Sequence, residues 1–429
     1  MLQTLRNAWN IPELRKKIIF TLFILLIYRV GNVIPVPFID VTTLGNYFDS
    51  VLSTTILGLY NAMSGSAFSR ATVFALGIQP YINSSIIMQL LTIALPSLER
   101  LSKEEGGREK IERITRYVGI GLAMVQSIGI FVGLEKAAAA GTSYLSSTLP
   151  HWMALAVIGI CATAGTAFLM WLGERITENG IGNGISMLIF ASIVSRVVPT
   201  VIGWVQQLFT QVMPVWAFAL LLVLVVGMIT LVVHVDQAQR RIPVQYAKRV
   251  VGRKMYGGQS TYLPIKANAN GVLPLIFAMT LLQFPGMIAQ FWPQGGFYNF
   301  YTKYLGQASV IYYIVYALLI VGFGYFYNAI TFNPIEMSKN LQQNGGFIPG
   351  IRPGRPTSDH LAKISGRLTL FGSLFLAVVA ILPTIALSLL GQTSSFGATS
   401  ILIMVSVAIE TTDQLESHML MRHYKGFLN

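Results

Sequence analysis

The sequence predicts an all-α, polytopic membrane protein with ten transmembrane helices. Its 429 residues are 53% hydrophobic and only 11% charged. Apolar runs of about twenty residues, enough for a helix to cross a hydrocarbon core, recur along the chain, and the mean hydropathy is +0.60. Lysines and arginines gather in alternate connecting segments, as they do when one side of a bilayer retains positive charge.

The first segment, MLQTLRNAWNIPELRKK (1–17), has no short apolar core followed by a small-residue cleavage site, so it is expected to be a retained cytoplasmic N-terminus and not a signal peptide. Ten spans are then expected to begin near Ile18, Ala71, Tyr117, Trp152, Ile185, Val215, Val272, Val310, Leu368 and Thr399. Alternating the connections between two sides puts 25 of the 30 lysines and arginines on the side of the N-terminus. The other side keeps Arg70, Lys136 and Lys303, and Arg29 and Arg196 fall within spans. Both termini, including the tail 417–429, are therefore expected in the cytoplasm. Two halves of five spans, 18–203 and 215–416, must be inverted relative to each other if they are related at all, because an odd repeat reverses direction.

Individual segments depart from plain spans. LGNYFDSVLSTTILGLYNAMSGSAFSR, between the first two spans, is too short and too interrupted to cross; it is re-entrant or an ordered external loop. In FALGIQPYINSSIIMQLL, Gly77 and Pro80 break regularity while Asn83, Ser84, Ser85 and Gln89 add polarity. Ile78, Ile82 and Ile86 recur every four residues and so share a helical face, a stripe that packing or lipid contact would equally explain. The seventh span carries Pro274, Gln283 and Pro285, which suit a bent wall beside a cavity or an ordinary packed kink. Two long cytoplasmic loops, 235–271 and 333–367, exceed what bundle connections need. The second contains GGFIPGIRPGRPT, whose Pro353 pushes Arg352 toward an extended backbone.

Several functions are excluded. There is no G-x-x-x-x-G-K-[ST] element to hold nucleotide phosphates and no H-E-x-x-H zinc helix. No activated nucleophile with a nearby base can be assigned, so no catalytic residue, metal site or cofactor is expected and the chain reads as a non-enzyme. The single cysteine, Cys161, excludes an internal disulfide. A charge of +13 follows from topology without direct nucleic-acid binding. An ion-coupled transporter of a small solute is the competing class, but it would keep carboxylates near mid-membrane, whereas Glu410, Asp413 and Glu416 come late in the last span.

YRVGNVIPVP, SRATVFALGIQPYINSSIIMQLL, GIGNGIS, AQRRIPVQYAKR followed by YGGQSTYLPIK, and GGFIPGIRPGRPT together closely resemble the bacterial SecY family. The resemblance runs from the first span to the tenth. It implies a central, passive pore that passes unfolded secretory proteins and releases membrane-protein segments sideways into the lipid bilayer. The implied partners are SecE, SecG, and either the SecA ATPase or a ribosome, which would be the only route to nucleic acid. It places a pore ring on Ile78, Ile82, Ile86, Ile185, Ile189, Ile276 and Ile403, and a plug at about 54–70. It puts a lateral gate between the second and third spans and the seventh and eighth, with Asn83, Ser84 and Gln283 as polar contacts. Lys248, Arg249 and Arg352 are the implied docking residues.

Overall fold

A computed structural model describes residues 2–50, 61, 64–137, 150–210, 213–246, 249–251, 254–256, 260–289, 295–306, 309–389 and 398–425. Helix α1 (Leu2–Asn10) precedes α2 (Pro12–Gly31), where Pro12 occupies the first turn, a position that needs no amide donor. Leu14, Thr21, Ile24, Tyr28 and Gly31 turn α2's buried stripe inward, and Leu22, Phe23 and Leu26 are exposed on the opposite side. After α3 (Val41–Ser50) come α4 (Gln79–Ala94), α5 (Pro96–Lys103), α6 (Gly107–Ala137), α7 (His151–Asn179) and α8 (Gly184–Phe209).

The remaining elements begin with α9 (Val215–Gln237) and strands β1 (Gln239–Tyr246), β2 (Arg249–Val251), β3 (Lys254–Tyr256) and β4 (Ser260–Lys266). They continue with α10 (Leu273–Ala289), α11 (Gly296–Tyr304), α12 (Val310–Thr331), α13 (Pro334–Gln343), β5 (Gly346–Phe347), α14 (Arg355–Leu389) and α15 (Ala398–Lys425).

The fold is mostly helical, and the strands correct the all-α expectation. In QRRIPVQY, Ile242 and Val244 alternate with polar neighbours, so one face of β1 is buried. Antiparallel pairing runs from Gln239 opposite Lys266 to Gln245 opposite Ser260. On the other edge of β1, Gln245 and Tyr246 pair with Phe347 and Gly346. The two long loops thus meet in one sheet, ordered β4-β1-β5. Beneath it Ile242, Val244, Ile265, Ile348 and Leu361 form a small core.

Among the described residues, six helices are long and apolar enough to cross a membrane. A seventh results if α4 and α5, bent by 100° at Leu95, count as one span. The second span was expected to start near Ala71, but residues 71–78 form turns and α4 has only 16 residues. Gly77 adopts φ +59°, left-handed backbone in which a side chain is unfavourable, and Pro80 then opens α4. The seventh expected span is similarly short, with α10 covering 17 residues. Conversely, α6 and α14 start well before the expected spans, at Gly107 and Arg355.

Candidate functional site: an apolar cluster between two groups of helices

The sequence around GIGNGIS positions the first part of the site. Gly182 has φ +81°, and the Asn183 side chain then accepts hydrogen bonds from the amides of Ile185 (3.1 Å) and Ser186 (3.2 Å). This N-cap satisfies donors that the first helical turn cannot. A side chain at Gly184 would collide with the Gly173 carbonyl, so the turn lets α8 start tightly against α7. Ile185 and Ile189 consequently point into the bundle, Ile189 fully and Ile185 partly buried.

Ile78 sits just before α4, where its carbonyl accepts from the amides of Tyr81 and Ile82 (both 3.1 Å). Four-residue spacing aligns it with Ile82 and Ile86, and all three are buried. Ile276 in the first turn of α10 and Ile403 in the second turn of α15 approach from the other group of helices. Of the seven isoleucines named from the sequence, Ile78, Ile82, Ile86, Ile189 and Ile403 belong to one buried apolar cluster, and the partly buried Ile185 and Ile276 pack against it. Branched hydrocarbon side chains offer an ion no ligand, so a constriction built from them resists hydration.

Of the described part of the segment between the first two spans, Ala67 belongs to this cluster, whereas Leu44, Phe48 and Phe68 pack in a second one. Asn61, Ser64, Ala67 and Phe68 are buried. Tyr28 of α2 donates to the Ser64 carbonyl (3.3 Å), and its hydroxyl is hydrogen-bonded to that of Ser192 in α8. Asn61 accepts from the Ser69 amide at 3.0 Å. Polar groups of the segment are therefore satisfied by protein, which irregular backbone inside a bundle requires. Residues 54–60, 62 and 63 of the expected plug lie outside the described residues.

The three expected gate residues are all buried but do not meet one another in an observed hydrogen bond. Ser84 donates to the Thr115 carbonyl of α6, joining α4 to its own neighbour. Gln283 of α10 is buried with its side-chain nitrogen lacking a hydrogen-bond partner. Sequence reasoning missed a different contact: the Tyr327 hydroxyl of α12 donates to the Gln89 side-chain oxygen of α4 at 2.5 Å. Gln89 was visible as a polar residue in an apolar stretch. Its partner was not, because 238 positions separate them.

Of the docking residues, Lys248 lies outside the described residues and Arg249 begins β2. Arg352 is exposed on the loop that joins β5 to α14. Its carbonyl accepts from Thr357 Oγ1 (2.9 Å), and Ser338 Oγ donates to the Gly354 carbonyl (2.7 Å). The loop is thereby tied to both α13 and α14. The root of the β1–β4 hairpin is also fixed: Asp236 accepts from Asn268 (2.8 Å) and from Ser406 of α15 (2.6 Å). Lys266 pairs with Asp413 at 3.0 Å, so one carboxylate midway along α15 has a cation beside the sheet.

The SecY family's sequence model matches residues 72–412. The chain is 45% identical to the protein translocase subunit SecY of Streptomyces coelicolor, over all of both chains. It is 40% identical to the subunit of that name from Thermotoga maritima, covering 100% of this chain and 98% of that one. Among solved structures it resembles a protein-conducting channel with a TM-score of 0.65 at 21% identity, over 94% of this chain and 92% of that chain. Sec61 from a canine ribosome-channel complex of the endoplasmic reticulum gives 0.61 at 18% identity, with the same coverage. The match runs from before α4 into α15, and the chain belongs to the SecY family.

Proposed function

We infer that this chain is the channel-forming subunit of a protein translocase, through which unfolded secretory proteins cross a membrane and from which hydrophobic segments pass sideways into lipid. The observation that carries the reading is the convergence of Ile78, Ile82, Ile86, Ile185, Ile189, Ile276 and Ile403 from four helical regions on one apolar cluster. Such a collar binds no particular sequence and can yield around a passing chain. It forms a pore ring in this reading, with Asn61 and the 64–70 stretch, whose Ser64, Ala67 and Phe68 are buried, as the described part of a plug spanning about 54–70.

Ten spans in two inverted halves, 18–203 and 215–416, accommodate this path. Helices α2, α4, α10 and α15 fall short of a long, uniformly apolar span, and each contributes to the apolar cluster around these isoleucines. Helices that border an aqueous funnel need less hydrocarbon-facing length than those surrounded by lipid, which supports counting them as spans. The sheet side carries most of the positive charge and is the cytoplasmic side of an inner membrane in this reading, with both termini there. SecE and SecG complete the assembly, Asn83, Ser84 and Gln283 border the lateral gate, and Lys248, Arg249 and Arg352 engage SecA or a ribosome. The transporter reading lacks support, since the acidic residues of α15 lie toward the sheet, where Asp413 pairs with Lys266.

The test is reconstitution of the complete complex in vesicles. Entry of an unfolded secretory protein that requires SecA and ATP is the expected result. Ion-gradient-driven uptake of a small solute, with no protein entry, would overturn the reading.

A further inference from the structure

An apolar groove of about 320 Å³ lies between α2 and α7. Ile27 and Val30 of α2, Ile34 just beyond it, Phe74, and Ala164 and Phe168 of α7 line it. Two glycines make it possible. A Cβ on Gly31 would overlap the Phe74 ring, and one on Gly165 would strike the Val73 carbonyl, so residues 73 and 74 settle between the two helices. Val30, Ile34 and Phe168 are exposed along the groove, which therefore opens to the outside of the bundle, and its lining side chains are all apolar.

Two stripes of side chains run from this groove toward the side rich in lysine and arginine. On α7, Ala164, Phe168, Trp171 and Arg175 follow one another at four, three and four residues and are all exposed. On α2, Lys16, Phe20, Phe23 and Ile27 have the same spacing. Such spacing keeps each set on one helical face. Each stripe starts at the groove and ends in a cation eleven positions away, about 16 Å along a helix that rises 1.5 Å per residue. The hydrocarbon of one leaflet is about 15 Å thick. Aromatic rings connect the two ends on α7: Phe168 stacks on Phe74 and on Trp171, with centroids 6.1 and 5.7 Å apart, and the Arg175 guanidinium lies 5.6 Å from the centre of the Trp171 ring. An arginine has five N–H donors, of which the 2.8 Å bond to Glu178 uses one.

We propose that the α2–α7 groove and its two stripes form a phospholipid site, in which one acyl chain of an anionic lipid fills the groove and Lys16 and Arg175 hold its phosphate. The cations stand at headgroup depth and the groove at the depth of the chain's end. A helix is about 10–12 Å across with its side chains, so a helix of another subunit would cover the groove without filling it, whereas a single hydrocarbon chain enters. A zwitterionic lipid would bring its own cation to Lys16 and Arg175 and bind less well. The site goes beyond the translocase reading and needs only that α2 and α7 stand in a bilayer.

The complete complex would be reconstituted in vesicles of phosphatidylglycerol and phosphatidylcholine, with a trace of one or the other lipid carrying a photoreactive diazirine at the end of one acyl chain. After illumination, adducts would be located by mass spectrometry of peptides. The phosphatidylglycerol form is expected to label residues 27–34 and 164–168 several-fold more than the exposed Leu222, Val223 and Val226 of α9, and more than the phosphatidylcholine form does. Lys16→Gln and Arg175→Gln should each lower the groove adduct about fivefold, the worth of one cation beside an anionic lipid, with labelling of α9 unchanged. Ala164→Phe, which fills the groove, should abolish the adduct there and likewise spare α9. Equal labelling of the groove and α9, equal yields from the two lipids, or an unchanged yield in Arg175→Gln would each overturn the site. So would adducts on another subunit's helix in place of the groove.

Discussion

Arg352 illustrates how much of a surface residue's role depends on what holds its backbone. The Thr357 hydroxyl fixes its carbonyl and β5 pairs upstream with β1, so the exposed guanidinium stands on an anchored loop. Its planar fork supports directional contacts that lysine cannot copy. Arg352→Glu should therefore leave expression and span topology intact and abolish SecA-driven translocation in the vesicle assay, with Arg352→Lys partly active. Another residue acts purely locally: the Asp40 carboxylate accepts from the amide of Thr42 at 3.0 Å and from the hydroxyls of Thr42 and Thr43 at the start of α3. These bonds, the Thr42 hydroxyl foremost, lower its pKa from 3.8 to about 2. A depressed carboxylate stabilises the folded form fully above its ordinary pKa, and the contribution disappears as pH falls from 3.8 through about 2. Amides of the first turn of α3 should lose hydrogen-exchange protection across that window, whereas Asp40→Asn should show weaker protection at higher pH and little change within it.

At the scale of elements, close approaches determine which helices can be neighbours. A side chain on Gly165 of α7 would strike the Val73 carbonyl, and one on Gly324 of α12 would strike Ser373 of α14. The β1–β4 hairpin is attached just as specifically, through Asp236 to Asn268 and Ser406 and through Lys266 to Asp413. Asp236→Ala would leave two donors without their acceptor, a loss on the order of 1 kcal/mol for a partly buried site. Thermal unfolding of the detergent-solubilised complex should shift to lower temperature, and limited proteolysis should cut the hairpin sooner. Unchanged proteolysis would mean that strand pairing with β5 suffices to hold it.

For the whole molecule, the pore reading requires the isoleucine cluster to act collectively. Replacing Ile82, Ile86 and Ile189 together with serine introduces groups that hydrogen-bond water, so the constriction should hydrate more readily. Ion conductance of the idle complex in planar bilayers should rise by roughly tenfold or more, on the basis that even about 1.4 kcal/mol less of a barrier gives a tenfold change. Protein entry should persist, because the collar need only surround the chain. Conductance equal to that of the unaltered complex would assign these side chains to packing alone.

What could be read from the sequence was whatever depends on local pattern and bulk partition. Apolar runs and the sidedness of lysine and arginine predict membrane residence, and the multi-pass helical class follows. Four-residue spacing put Ile78, Ile82 and Ile86 on one face before any neighbour was known, and the SecY-like motifs named the four other isoleucines of the same cluster. The strands escaped notice because β1 and β4 lie in loops and their register appears only when Gln239 faces Lys266. The late start of α4 in the second span depends on Gly77 and on bonds to distant groups, such as Thr166 donating to the Gly77 carbonyl at 3.3 Å. Tertiary structure alone decided which polar residues meet. It turned Ser84 toward Thr115, left the Gln283 nitrogen buried without a partner, and brought Tyr327 to Gln89. The reason is physical: partition into a bilayer sums over a segment and survives any arrangement of neighbours, whereas a hydrogen bond needs two atoms within about 3 Å, and that proximity exists only after every intervening helix has packed.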